Sequence, residues 1–233
     1  MRKALMLVAS PLVITGLLAV GPAFSADKYT PKNSPHQAAK EMDAQDLVNK
    51  ATDVANEMKK DPNLVQMMQK AKGIFIIPKY AKGGLIVGAQ GGEGVMLVHH
   101  GGKWTTPVFY DTGGLSFGAQ AGVSAGSIAM LLMSDKAINR FKGDDKFALN
   151  AEAGISIIKY SAAGRATPGQ PDVILWSDQK GAYAGATLSL TDIHRDSKQD
   201  RAYYGEPVTE TKLMSGDIKN PGAMKLRDAL PEG

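Results

Sequence analysis

The chain has 233 residues, 43% hydrophobic and 21% charged, with a formal net charge of +4 and no cysteine. That length and balance suit one folded domain with appendages. The missing cysteine excludes disulfides, thiolate metal sites, cysteine nucleophiles and lipidated-cysteine anchors.

In chain order, Arg2 and Lys3 precede the uncharged run Ala4–Val20, Gly21-Pro22 breaks any helix, and Ala23-Phe24-Ser25 offers small residues to a signal peptidase. Residues 1–25 therefore read as a cleaved export signal. The 23 uncharged residues from Ala4 to Ala26 are long enough to span a bilayer, but Pro11, Thr15 and Gly16 weaken an anchor. Losing Arg2 and Lys3 lowers the net charge from +4 to +2, which removes the main support for nucleic-acid binding. The expected location is the periplasm or cell envelope. Residues 26–40 read as a linker, with Pro31 and Pro35 in it.

From Met42 to Lys60, Leu47, Ala51, Val54, Ala55 and Met58 fall at helical spacing. Asp61-Pro62 then restarts a helix as N-cap and first-turn proline, with Leu64, Val65, Met67, Met68 and Ala71 as its stripe and Gly73 as its end. Beyond it, short apolar runs at 74–78, 84–89, 94–99 and 107–110 predict strands, with tight turns at Gly91-Gly92 and Gly101-Gly102. Thirteen of the 26 glycines lie between Gly73 and Gly122, so these strands are expected to bend strongly and pair antiparallel. Residues 128–133 fit strand or helix, and 135–141 a helical turn. Strands are expected over 147–159, 173–177 and 182–190, the last two joined as a hairpin by Asp178-Gln179-Lys180-Gly181. A short helix over 222–230 closes the chain. The expected class is α+β, two N-terminal helices packed on a curved, mostly antiparallel sheet or partial barrel.

Gly122-Val123-Ser124-Ala125-Gly126 fits the G-x-S-x-G nucleophile elbow and follows His100-Gly101-Gly102, which resembles an oxyanion-loop motif. His194 as base and Asp172 or Asp178 as its partner would complete the set. Only residues 103–121 separate the two motifs, too few for the helices and parallel strands of that fold, and Ser124 reads instead as a small residue where backbones approach closely. His36, His99, His100 and His194 are scattered, and neighbours on a strand point to opposite faces, so no metal site or cofactor is expected. Asp111, Glu152 and Asp172 show no spacing of an acid/base couple. The chain reads as a non-enzyme.

Residues 62–103 hold Lys70, Lys72, Lys79, Lys82 and Lys103 against Glu93 alone, beside the methionine-rich second helix. Basic charge next to an apolar helix is the pattern of a membrane-surface contact. The bland alternative docks that helix on the sheet and leaves the lysines as ordinary solvated residues.

Ala81-Lys82-Gly83-Gly84, Gly102-Lys103-Trp104 with Pro107 and Phe109, the run from Gly113 to Gly122, Gly164-Arg165, Tyr183-Ala184-Gly185 and Tyr203-Tyr204-Gly205 occur in an order that resembles the SYLF-domain family. The resemblance covers roughly residues 41–211, leaving 212–233 as a C-terminal tail. It implies lipid binding: eukaryotic members bind phosphoinositides through an N-terminal amphipathic helix and nearby basic residues, and some yeast members bind actin. Here the expected partner is an anionic phospholipid surface, with Lys70, Lys72, Lys79, Lys82 and Arg165 on headgroups and Leu64, Met67 and Met68 inserting unless that face is core. An export signal and no appended SH3 or FYVE module make actin an implausible partner. The competing readings are an envelope-interaction protein with no specific lipid ligand, and a barrel enclosing an apolar molecule lined by Trp104, Phe109 and Tyr110.

Overall fold

The computed structural model describes residues 35–84, 87–117, 122–143, 145–160, 170–178 and 190–232. The export-signal segment 1–25, Arg165 and the 178–181 hairpin turn fall outside them, wholly or nearly so. Lys32–Gly233 forms one compact unit, and no helix among the described residues is long and apolar enough to cross a membrane.

Helix α1 spans Pro35–Met58 and α2 Pro62–Lys70. In α1, Ala44, Leu47, Val48, Ala51, Val54, Ala55 and Met58 are buried, the stripe its periodicity predicts. It begins seven residues before Met42, where no apolar repeat exists to announce it. Asp61 caps α2, its side chain accepting from Asn63 N at 2.9 Å, and Tyr160 donates to the other carboxylate oxygen at 2.5 Å. The Tyr160 bond, then the Asn63 backbone bond, hold the Asp61 carboxyl below its usual range.

The strands are β1 (Gly73–Gly84), β2 (Val87–His100), β3 (Lys103–Trp104), β4 (Val108–Phe117), β5 (Gly122–Leu132), β6 (Phe147–Leu149), β7 (Ile157–Lys159), β8 (Val173–Ser177) and β9 (Leu190–Arg195). Their order across the sheet is β6-β9-β4-β2-β1-β5-β8-β7, with β3 hydrogen-bonded to β2. Every pairing is antiparallel except β7 with β8. Helix α3 (Asp135–Asn139) follows β5; α4 (Ser197–Tyr204), α5 (Glu210–Met214), a 3₁₀ turn (Pro221–Ala223) and α6 (Met224–Ala229) complete the chain. The architecture is the α+β arrangement expected, helices on a curled sheet.

Two local expectations are corrected. Gly91-Gly92 is not a turn but the middle of β2, opposite a bulge in β1 between Ile76 and Ala81. A Cβ on Gly92 would lie 2.5 Å from Lys79 O, and one on Gly91 2.6 Å from Thr112 O, so strands approach too closely here for side chains. The strand expected over 147–159 is two three-residue strands on opposite edges of the sheet. Helices α4 and α5 were not foreseen.

The separation of β6 and β7 explains the curl. Eight Cα steps from Leu149 to Ile157 reach at most about 29 Å, whereas a flat path of eight strands would hold its edges about 34 Å apart. The sheet must bend to let the 150–156 segment close the gap. Leu149 and Ile155 join Phe75, Ile77, Tyr110, Met130 and Phe141 on the inner face. Ile74, Ile76, Val95, Leu97, Ala129 and Leu131 face the other way, under α1, α2 and α6. Alternation along β1 thus feeds two cores from one strand.

At the β9–α4 corner, Arg195 Nε donates to Asp200 Oδ2 at 2.7 Å and Arg195 Nη2 to Val208 O at 2.8 Å, while Asp200 Oδ1 accepts from Phe109 N at 3.1 Å. Asp200 is 1% exposed. Burial pushes its carboxyl up to about 6 against the pull of Arg195 and the Phe109 amide, so it is ionised at neutral pH. Asp172 behaves oppositely: burial pushes it up, but Ser134 Oγ at 2.6 Å and the Ser156 amide and hydroxyl, both at 2.9 Å, hold it below its usual range.

Candidate functional site

The end of the sheet where β1 begins and β2 ends gathers cations from distant parts of the sequence. Gly101 (φ 58°) and Gly102 (φ 80°) form the two-residue hairpin that pairs His100 with Lys103; both positive φ values require glycine. The hairpin exposes Lys103 and buries Trp104, which stacks on His99 with ring centroids 4.9 Å apart. The C-terminal segment clamps down on this indole: Trp104 Nε1 donates to Pro231 O at 2.8 Å, and Arg227 Nε donates to Trp104 O at 2.7 Å. Lys59, at the end of α1, reaches Asp228 O at 3.4 Å. Between these parts lies a groove of about 800 Å³ whose lining includes Lys59, Lys103, Lys219, Arg227, Asp228 and Glu232. Its rim carries Met224, 56% exposed, one of two large apolar side chains so exposed among the described residues.

The lysines expected to act together are split. Lys72 is at this end: its carbonyl accepts from His99 N at 2.8 Å, and its ammonium pairs with Asp135 at 2.6 Å. Lys70 is exposed in the last turn of α2. Lys79 lies seven residues along β1, roughly 23 Å away. It lines a mixed-charge groove of about 550 Å³ with Lys40, Lys50, Asp43, Glu93 and Asp196. Burial, then Asp111 and Asp196, push the Glu93 carboxyl up. The Lys82 backbone pairs with Gln90 and Ser124; its side chain and Arg165 lie outside the described set.

The inserting residues need correction. Leu64 is 2% and Met68 0% exposed, both in the core under α1, and Met67 packs partly buried against the same cluster. Exposing a buried Leu or Met costs about 1.5–3 kcal/mol, so this face holds the domain together instead of entering lipid. Lys59, Lys219, Arg227 and Met224, which the sequence reading passed over, make the groove. No local pattern announces them, because only the tertiary fold sets α6 beside the β2–β3 hairpin.

Residues 113–232 match the family model Ysc84, described as Las17-binding protein actin regulator. The chain belongs to the Ysc84 family. This is the SYLF family that the sequence blocks resemble. Protein YSC84 of Saccharomyces cerevisiae is 26% identical over 163 residues, 67% of this chain and 35% of the yeast protein. SH3 domain-containing YSC84-like protein 1 of Bos taurus is 25% identical over 162 residues, 66% of this chain and 46% of the bovine one. LAS seventeen-binding protein 3 of Saccharomyces cerevisiae is 24% identical over 164 residues, 68% of this chain and 36% of that protein. The chain thus spans between a third and a half of the length of these relatives. No solved structure matches it. The Ysc84 match takes in Lys219, Met224 and Arg227 and begins after Lys103.

This chain does not assemble the hydrolase constellation. Ser124 sits on β5 and His194 on β9, four strand spacings or roughly 19 Å apart along the sheet. Asp172 is occupied by Ser134 and Ser156, and His194 Nε2 lies 3.7 Å from Asp111 Oδ2. His100-Gly101-Gly102 is the hairpin turn. Phe109 and Tyr110 are fully buried in the cores on opposite faces, and Trp104 packs under the C-terminus, so the three do not line one cavity. Among the described residues no cluster of His, Asp and Glu could hold a metal ion.

Proposed function

We propose that this Ysc84-family protein is exported and attaches peripherally to anionic phospholipid. The observation that carries the reading is the gathering of Lys59, Lys103, Lys219 and Arg227 around one groove with an exposed methionine. Each lysine near an anionic bilayer contributes about 1 kcal/mol, an attraction that salt screens. The family description names Las17 binding and actin regulation; export through residues 1–25 removes this chain from actin and presents it to envelope phospholipids.

Flotation of residues 26–233 with vesicles tests this. Phosphatidylglycerol-containing vesicles should capture the protein at low salt and release it at high salt, and pure phosphatidylcholine should not capture it. Lys59→Gln with Lys219→Gln should weaken capture more than Lys79→Gln with Lys82→Gln, because the first pair lines the groove. Unchanged capture with all four replaced would remove these lysines from the mechanism; no capture of the unsubstituted protein would favour an envelope-interaction role without lipid.

A further inference from the structure

Adjoining the large groove and sharing Arg227 and Trp104 with it lies a smaller pocket of about 350 Å³. Its lining contains His100, Lys103, Lys219, Arg227 and Ser215 and no carboxylate residue; the Ser215 hydroxyl donates to Asp217 Oδ2 at 2.6 Å, outside that lining. Most basic surfaces are interspersed with acids, and here the neighbouring groove has Asp228 and Glu232. The pocket does not. Lys103 and Lys219 are exposed and pair with no carboxylate among the described residues. Arg227 spends its Nε on Trp104 O at 2.7 Å, which fixes the plane of its guanidinium. Two exposed lysines beside an oriented guanidinium form an anion receptor, best suited to an oxyanion with several acceptor oxygens.

The larger groove shares Lys103, Trp104, Lys219 and Arg227 with this pocket and adds Met224, Leu230 and Pro231. A pocket whose charged lining is wholly basic therefore opens into a groove that sets apolar side chains among charges of both signs. That division fits an amphiphile with an anionic end, not a free inorganic ion. We propose that the pocket binds the phosphate of a single anionic phospholipid, with the glycerol end of the molecule lying against Trp104 and Met224. This rests on the membrane reading above and adds a discrete headgroup site to it. Surface attraction alone would need no pocket.

The test follows the two indole N–H signals of residues 26–233 by NMR, Trp104 reporting on the pocket and Trp176, on β8, serving as reference. The probes are short-chain phosphatidylglycerol below its micelle concentration, phosphatidylcholine of the same chain length, and inorganic phosphate. Phosphatidylglycerol should shift Trp104 saturably and leave Trp176 in place. Lys103→Gln with Lys219→Gln, both exposed, should weaken that binding about tenfold or more without altering the fold. Phosphatidylcholine and phosphate should bind about tenfold more weakly or worse. Vesicle capture with no Trp104 shift would overturn the pocket and leave the membrane reading standing. A shift by inorganic phosphate as strong as that by the lipid would overturn the lipid as occupant, and absence of both capture and shift would overturn both readings.

Discussion

Replacing Asp200 with Asn should lower the stability of the domain by about 3–5 kcal/mol at pH 7, read as the urea midpoint at constant slope. The amide keeps an oxygen for Phe109 N but turns an N–H donor toward Arg195 Nε, now 2.7 Å from a carboxylate oxygen. The Arg195 side chain is 7% exposed and would lose the Asp200 charge it pairs with at 2.7 Å. The pH profile carries a second signature. Because burial pushes the folded carboxyl up to about 6 from its ordinary 3.8, the native state holds this proton more tightly than the unfolded chain. Its contribution is complete below about pH 4 and is lost as pH rises toward 6. Asn cannot titrate, so the Asp200→Asn profile should lack that decline. Asp172, whose folded carboxyl is depressed, works in the opposite sense: it contributes above the unfolded value and loses that contribution as pH falls below about 4. The two windows do not overlap, and a pH series separates them.

Gly94→Ala should destabilise and Gly113→Ala should not, although both glycines lie in strands of the same sheet. A Cβ on Gly94 would lie 2.7 Å from Phe75 Cε2, 2.8 Å from Ile76 O and 2.9 Å from Ile77 Cγ1. One of those neighbours is backbone in the central strand and cannot turn aside. The expected cost is about 1–3 kcal/mol, with Val worse. At Gly113 the nearest heavy atom would be Gln90 O at 3.9 Å, ordinary contact. Alanine there restricts the unfolded chain and should stabilise by about 0.4–1 kcal/mol. Thermal unfolding of both variants decides it, and equal effects would mean that glycine content, not close packing, governs this sheet.

Where the physics is local, the sequence was readable. Asp61-Pro62 fixes the start of α2, the positive-φ pair Gly101-Gly102 fixes its hairpin, and the run 74–77 announces a strand covered on both faces. The Gly91-Gly92 dipeptide misleads because the same absence of Cβ serves turns and close strand crossings, and only the β1 bulge distinguishes them. Helix α4 carried its cap, Asp196, and its left-handed terminator, Gly205 at φ 73°, but with Ala202, Tyr203 and Tyr204 as its only apolar residues it shows no periodic stripe. The candidate site was half visible. Lys103-Trp104 stood out, whereas Lys219 and Arg227 gain meaning only from α6 lying beside them, more than a hundred residues on.

The 150–156 segment works as a bowstring. It ties one edge of the sheet to the other, and its knots are the Asn150 side chain accepting from Ala153 N at 2.8 Å and the double bond of Ser156 to Asp172. The depth of the bow is thus governed by a length of chain, independently of which side chains fill it. A few residues inserted near Glu152 would slacken the string and let the arc widen, with every core residue still in its place in the sequence.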